Sequence, residues 1–324
     1  MAKLAFNLKF SESHLSKNLD VFVGLSGGAD SIALLHYLNE MNKSSEIESL
    51  KAIHVNHGYS PESKKWENFC KDFCKDHNIE LIITSIENLD SKASLEGSLR
   101  KARFKIFANI LRSPAVLALA HHMNDQVETI LFRMFRGSGP EGISGINEVN
   151  ILEGIKVLRP MLKIKKEEIY EYIEKNKLEY IHDHSNDNEQ FDRNFIRNRL
   201  MPLISERWPA AIKKISDLSE LSKQDIEFKN IFMEQRIGEF QSESGLDILS
   251  LSKISETERT YIIRHWIKKS GFSQPNRKTQ LEIEKIFFCS QTTSNSSVQW
   301  KRADNEQKSC KMTTDKKSLI IKEP

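Results

Sequence analysis

The hydrophobic and polar positions of this chain change period repeatedly over its first two hundred residues. Val21, Phe22, Val23 and Leu25 form a short apolar run with the β-branched and aromatic bias of a buried strand. After a turn of small residues, Ile32, Ala33, Leu34 and Leu35 continue as a helix. The alternation then recurs: 50–56 (LKAIHVN) reads as a strand, 62–77 as a helix, 79–84 as a strand, 96–111 as a helix, 115–120 as a strand and 124–135 as a helix. Strands separated by helices in this way predict a parallel sheet with helices on both faces, a doubly wound α/β domain. In such sheets ligands bind at the carboxyl ends of the strands. SGGADS, HVNHG and AHHMND each directly follow a predicted strand, so all three fall on that edge.

Near Trp208-Pro209 the pattern changes. Residues 210–240 are continuously helical in pattern and rich in Lys, Glu, Ile and Leu, and 254–267 and 278–288 read as further helices. SSVQWKR and SLIIK read as two short strands joined by a polar turn. A catalytic α/β domain over 1–207 and a helical domain with a small β end over 208–324 are therefore expected.

Composition narrows the class without naming a partner. Of 324 residues, 39% are hydrophobic and 29% charged, as in an ordinary globular protein, and the net charge of +3 by itself argues for no nucleic acid. The initial MAKLAFNLKF is too short and too interrupted by Lys3, Asn7 and Lys9 for a signal peptide, and no apolar run approaches a membrane span. A cytoplasmic protein without membrane contact is expected. Cys70 and Cys74 share one face of a helix with Phe69 and Phe73, which suits small buried hydrophobes; with no CxxC pair, neither a cluster nor a zinc site is suggested.

The chemistry starts at Ser26-Gly27-Gly28-Ala29-Asp30-Ser31, where a strand passes through glycines into a helix N-terminus. Unpaired N–H groups there are aimed at an anion, usually a phosphate. Ala29 and Asp30 stand where a Walker loop needs Lys and Ser/Thr, and the adjacent glycines do not fit the dinucleotide fingerprint. SGGADS instead resembles the PP-loop of the ATP pyrophosphatases, which cleave ATP between the α- and β-phosphates. Three further stretches have readings of their own. In HVNHG, His54 and His57 would order the loop and pack on the nucleotide rather than bind metal, and Tyr59 and Ser60 replace a Leu-Arg of related enzymes. Glu96, Arg100 and Arg103 share a helix face, either as a surface ion-pair set or as arginines facing phosphate. Asp125 and Glu128 point the same way from the first turn of a helix, as dipole compensation or as a working acid pair, with His121 facing them from the strand end.

Taken in order, AHHxxDxxET, the glycine-rich loop from Arg136-Gly137 to Gly145, Arg159-Pro160, Asp183-x-Ser185-Asn186 and the helix Arg193-Asn194-x-x-Arg197 ending at Pro202 resemble one PP-loop family, the tRNA(Ile)-lysidine synthetases, over about two-thirds of the chain. The resemblance implies a ligase that adenylates the wobble cytidine of the CAU anticodon of tRNA(Ile) and then joins free L-lysine, with ATP and Mg²⁺. Asp30, Arg103, His121, Asp125 and Glu128 would be catalytic, and Asp30 and Asp125 would hold the metal. Ser26 to Ser31, His54 and Arg197 would bind the nucleotide. Arg100, Arg136, Gly137, Arg193 and Asn194 would meet the RNA. The tail would dock tRNA, with Arg264, His265, Lys268 and Lys269 as a phosphate-facing patch, or else serve homodimerisation. Two rivals are a PP-loop tRNA thiolase, which generally needs paired cysteines, and a non-catalytic ATP-sensing module, which has no need of the acid pair.

Overall fold

The computed structural model describes residues 20–43, 49–56, 58, 61–86, 95–112, 114–183, 189–289, 296–301, 308–315 and 317–324. The initial decapeptide, His57, Tyr59, Ser60, the side chain of Glu96, Ser185 and Asn186 lie outside the described residues. By contacts the chain forms two compact units, Met1–Lys223 and Gln224–Pro324.

In the first unit β1 (Asp20–Gly24), α1 (Ala29–Lys43), β2 (Ser49–Asn56), α2 (Ser63–Asp76), β3 (Glu80–Ser85), α3 (Leu95–Ile110), β4 (Ala115–Ala118) and α4 (Met123–Phe135) follow the alternation read from the sequence. A short helix α5 (Pro140–Ile143), the hairpin β5 (Val149–Leu152) and β6 (Ile155–Leu158), and α6 (Lys166–Lys175) come next. The sheet order is β3-β2-β1-β4-β6-β5, parallel except for the edge strand β5, which pairs antiparallel with β6. Alternate residues of β1 serve opposite faces, as the two-residue strand period requires. Val21 and Val23 pack with Ile32 and Leu35 of α1, Cys70 and Phe73 of α2 and Ile169 of α6. Phe22 packs on the other face with Phe104 and Phe107 of α3. Two faces, each covered by helices, make the sheet doubly wound.

The first unit continues through α7 (Asp192–Phe195), a π turn Ile196–Leu200 and α8 (Met201–Arg207) into α9 (Ala211–Ile237). Ile196 and Met201 close a separate core with Val127 and Leu131 of α4, and Ile212 and Ile215 of α9 pack against it. This core fixes the basic helix 193–199 against the helix that carries the acids.

The second unit holds the end of α9, β7 (Leu246–Asp247), α10 (Ile248–Ser252), α11 (Glu256–Lys269), α12 (Arg277–Glu284), β8 (Ser297–Trp300), β9 (Cys310–Thr314) and β10 (Ser318–Lys322). Its sheet order is β7-β10-β9-β8, so the two strands expected to be joined by a turn are not neighbours. Between them lies CKMTT, whose inward residues Cys310, Met312 and Thr314 are buried while Lys311 and Thr313 face outward. A strand with one apolar face and only five residues leaves no apolar run to read. Among the described residues no helix is long and apolar enough to cross a membrane.

Candidate active site

The turn after β1 is built by its own side chains. Ser31 Oγ donates to Gly28 O at 3.0 Å, accepts from Ser26 N at 3.2 Å and lies 3.0 Å from Ser26 Oγ, while Gly28 N donates to Ser26 Oγ at 3.3 Å. Beneath it Leu25 N donates to Ile53 O at 2.9 Å, and His54 Nδ1 lies 2.9 Å from Leu25 O. His54 therefore supports the turn from below, buried beside Cys70. Gly27 has φ +89°, and a Cβ there would stand 2.8 Å from Ile181 Cδ1. Ile181 N in turn donates to Gly27 O at 2.8 Å, which leaves Ile181 little room to retreat. Gly27→Ala is expected to cost about 1–3 kcal/mol through the strained backbone and the clash. Thermal melts and ATP titration check this; wild-type melting and affinity would show that the turn tolerates a side chain.

At the mouth of α4, β4 delivers His121 and His122 beside Asp30. His122 is the N-cap: Asn124 N donates to its Nδ1 at 3.2 Å, and its own N–H donates to Asp125 Oδ2 at 2.9 Å, a capping box. The bond to Nδ1 leaves the ring proton on Nε2, which lies 3.6 Å from Asp30 Oδ2 and 3.5 Å from Asp125 Oδ2. One imidazole thus stands between the carboxylate of the phosphate loop and the first acid of α4. Burial opposes ionisation of Asp125, but His122, His121, the His122 N–H and Arg197 outweigh it and hold its pKa below the usual carboxylate range. Arg197 grips Glu128 with both ends of its fork, Nε to Oε1 at 2.8 Å and a terminal nitrogen to Oε2 at 2.7 Å, and reaches Asp125 Oδ1 at 3.4 Å. Glu128 is buried, and burial raises its pKa although Arg197 pulls it back. Two acids on one helix turn are therefore pushed in opposite directions.

The glycine-rich loop is clamped to the same helix. Gln126 accepts from Ile146 N at 2.5 Å and donates to Ile146 O at 3.1 Å and to Ser219 Oγ at 3.0 Å. Gly145, at φ +62°, has no space for a side chain because that amide lies under 3 Å from where a Cβ would sit. Arg133 also donates to Gly145 O at 2.6 Å. Arg159 is 2% exposed and donates to Asn147 O and Asn150 Oδ1 at 2.9 and 2.7 Å, holding the end of the loop to the edge strand. Burial, assisted by Arg100, lowers its pKa to about 10. His121 is pushed down to about 4, by burial first and then by Arg159, Arg100 and Arg103 against Asp125. It is neutral at physiological pH, and its Nδ1 is buried without a hydrogen bond among the described residues.

A PP-loop domain profile matches residues 3–204 of this chain. The tRNA(Ile)-lysidine synthase of Wigglesworthia glossinidia brevipalpis is 33% identical over 300 residues, which cover 90% of this chain and 75% of that protein. The chain belongs to this PP-loop family of tRNA(Ile)-lysidine synthases. Other family members include that of Buchnera aphidicola subsp. Schizaphis graminum, 34% identical over 277 residues. There the match covers 85% of this chain and 62% of the relative, so the chain spans about three-fifths of that relative's length. A U34-tRNA thiolase from Methanococcus maripaludis, solved with its 4Fe–4S cluster, shares the fold with a TM-score of 0.51 at 19% identity, covering 65% of this chain and 75% of that one.

In this family member the structure brings Asp30, Asp125, Glu128 and Arg197 together, with Arg197 on the acid pair. Arg100 lies over the Phe104 ring at 5.3 Å and, with Arg103, acts on His121 electrostatically. Arg136 and Arg193 both approach Phe132, Asn194 is half-buried in α7, and Gly137 is exposed at φ +70°. The tail patch is partly neutralised: Arg264 donates to Pro275 O and Gln274 Oε1, His265 lies 3.0 Å from Glu234, and Lys269 pairs with the same Glu234. Sequence reasoning chose His121 as the histidine facing the acids and passed over His122 and Gln126. A capping-box pattern, His122 followed three residues later by Asp125, was the available signal for the first. Gln126 carries no such signal, because a buried amide reads as any polar helix residue.

Proposed function

We propose that this chain is a ligase that activates the ring carbonyl of the wobble cytidine in the CAU anticodon of tRNA(Ile) and joins free lysine to that carbon. The carbonyl oxygen would displace pyrophosphate from the α-phosphorus of ATP, and the lysine amine would then displace AMP from the ring carbon. The observation that carries this reading is the junction at one sheet edge. His122 spans the phosphate-loop carboxylate Asp30 and the acid helix, so an adenylation site and an ammonium site adjoin.

Each group has a part in that scheme. N–H groups of the turn would take phosphate oxygens. Asp30 Oδ1, buried without a hydrogen-bond partner among the described residues, and the Asp125 carboxylate offer the oxygen donors that Mg²⁺ prefers. When bound, Mg²⁺ would neutralise phosphate charge as pyrophosphate departs. Lysine arrives as a cation with a pKa near 10.4 and must lose a proton to attack. Asp125, held ionised, suits the ammonium; Glu128, with its raised pKa, suits the proton acceptor. Neutral His121 and the Arg100/Arg103 face would attend the adenylate phosphate. The second unit would dock the tRNA body through its cations.

A thiolase reading gains nothing from the cysteines: burial pushes the Cys70 and Cys74 thiols up to about 12. Labelled lysine should enter tRNA(Ile) transcripts bearing a CAU anticodon only when ATP and Mg²⁺ are both present, with one AMP formed per lysine joined. Absence of lysine transfer under those conditions, or transfer of sulfur in its place, would overturn the assignment.

A further inference from the structure

The ring of Phe132 on α4 is flanked by two guanidinium groups, Arg136 at 5.1 Å and Arg193 at 5.7 Å from its centroid. Arg136 is the C-cap of α4, and Arg193 lies in α7, which packs against α4. The same two helices, with the N-cap of α7, leave three phenyl rings in solvent: Phe135 is 62% exposed, Phe195 51% and Phe191 47%. Single exposed apolar residues are ordinary, but three aromatic rings on one helix pair beside two arginines are a surface with a character of its own. Arg136 is exposed, and its cation–π contact leaves its charge unopposed by any carboxylate among the described residues. A phenyl ring offers any nucleobase a face to stack on, and an adjacent guanidinium can stack or meet phosphate. Aromatic rings interleaved with arginine suit unpaired RNA, whose bases can be splayed from the strand; a base-paired helix hides those faces.

We infer that the α4–α7 face is a stacking platform for unpaired bases of an RNA loop. This rests on the proposed function, to which it adds a contact surface. Along α4, Phe135 lies about 15 Å beyond Asp125 at the α-helical rise. The platform therefore takes bases that flank the reacting one, while Arg136 and Arg193 hold the backbone between them. The exposed start of the glycine-rich loop, Gly137 to Gly139, continues directly from Arg136 and keeps that approach free of side-chain bulk on two of its three residues.

The test uses the full chain with a synthetic RNA stem-loop whose loop contains CAU, and with the blunt duplex of its stem as control. Phe135→Ala and Phe195→Ala are each expected to weaken stem-loop binding by about 5- to 100-fold, with the slope of log affinity against log salt unchanged. Phe135→Trp should bind as tightly as wild type, because stacking is retained. Arg136→Gln should reduce the salt slope by about 0.7, one single-strand phosphate contact. Duplex binding should not respond to either phenylalanine change. Stem-loop affinity equal to wild type in both alanine variants overturns the platform. So does a change of oligomeric state in sedimentation with RNA affinity intact, which would make this face a contact between protein chains. Stacking-dependent RNA binding without lysine transfer would leave the platform standing and remove only the catalytic reading.

Discussion

Arg197→Ala is expected to cost about 3 kcal/mol of folding stability and to abolish lysine transfer. The low end of the range for breaking a buried ion pair applies, because the Arg197 side chain is one-third exposed while that of Glu128 is 5% exposed. The loss comes from Glu128, left as a buried carboxylate without its counter-charge. Adding Glu128→Gln in the same chain should therefore recover most of the stability in urea melts, a coupling that two independent losses would not show. The pH dependence has a definite sign. Burial already raises the Glu128 pKa, and removing Arg197 removes the interaction that pulls it back. A group with a raised folded pKa destabilises the fold fully above that value, and the penalty fades as pH falls toward the ordinary carboxylate range. The stability gap between variant and wild type should narrow from about pH 8 to about pH 5. A gap independent of both pH and the Glu128 substitution would mean that Arg197 acts through some other contact.

Asp30→Asn is expected to reduce tRNA-dependent pyrophosphate release by about a hundredfold or more while leaving the melting temperature within about 2 °C of wild type. The two effects separate because Asp30 has few contacts within the protein. Oδ2 lies 3.6 Å from His122 Nε2, and Oδ1 has no hydrogen-bond partner among the described residues. An amide keeps the shape of the side chain but loses the charge that would face Mg²⁺ and stabilise it. The test is a pyrophosphate-release assay beside a melt of the same preparation. Wild-type turnover with an unchanged melt would remove Asp30 from the nucleotide site, whereas Arg197→Ala loses stability as well as activity.

Much of the first unit was open to reading in advance. A parallel sheet hides both faces of each strand, so its strands are apolar runs, and the helices between them carry a separate period. VFVGL, LKAIHVN and the helices after them are unambiguous for that reason, and the motifs then fall on one edge by topology alone. The antiparallel edge strand β5 was not read, since Val149–Leu152 is short and includes exposed Ile151. The β9 strand escaped for a related reason, its polar outward face.

Within the site, residue types and spacing carried Asp30, Asp125 and Glu128, because a helix turn and a phosphate loop are local structures whose geometry follows from consecutive residues. What those residues touch is not local. That His122 reaches Asp30 as well as Asp125 depends on the backbone direction as it leaves β4 and caps α4. Arg197 reaches Glu128 across sixty-nine positions, because Ile196 and Met201 share a core with Val127 and Leu131. Gln126 meets Ile146 and Ser219 only after the loop and α9 have packed. Local order in the chain thus specified the phosphate turn, the acid pair and the edge they share. Burial and long-range packing decided the direction in which each acid's pKa moves, the approach of His122 to Asp30 and the arginine that holds Glu128, since desolvation and ion pairing depend on neighbours that sequence distance does not reveal.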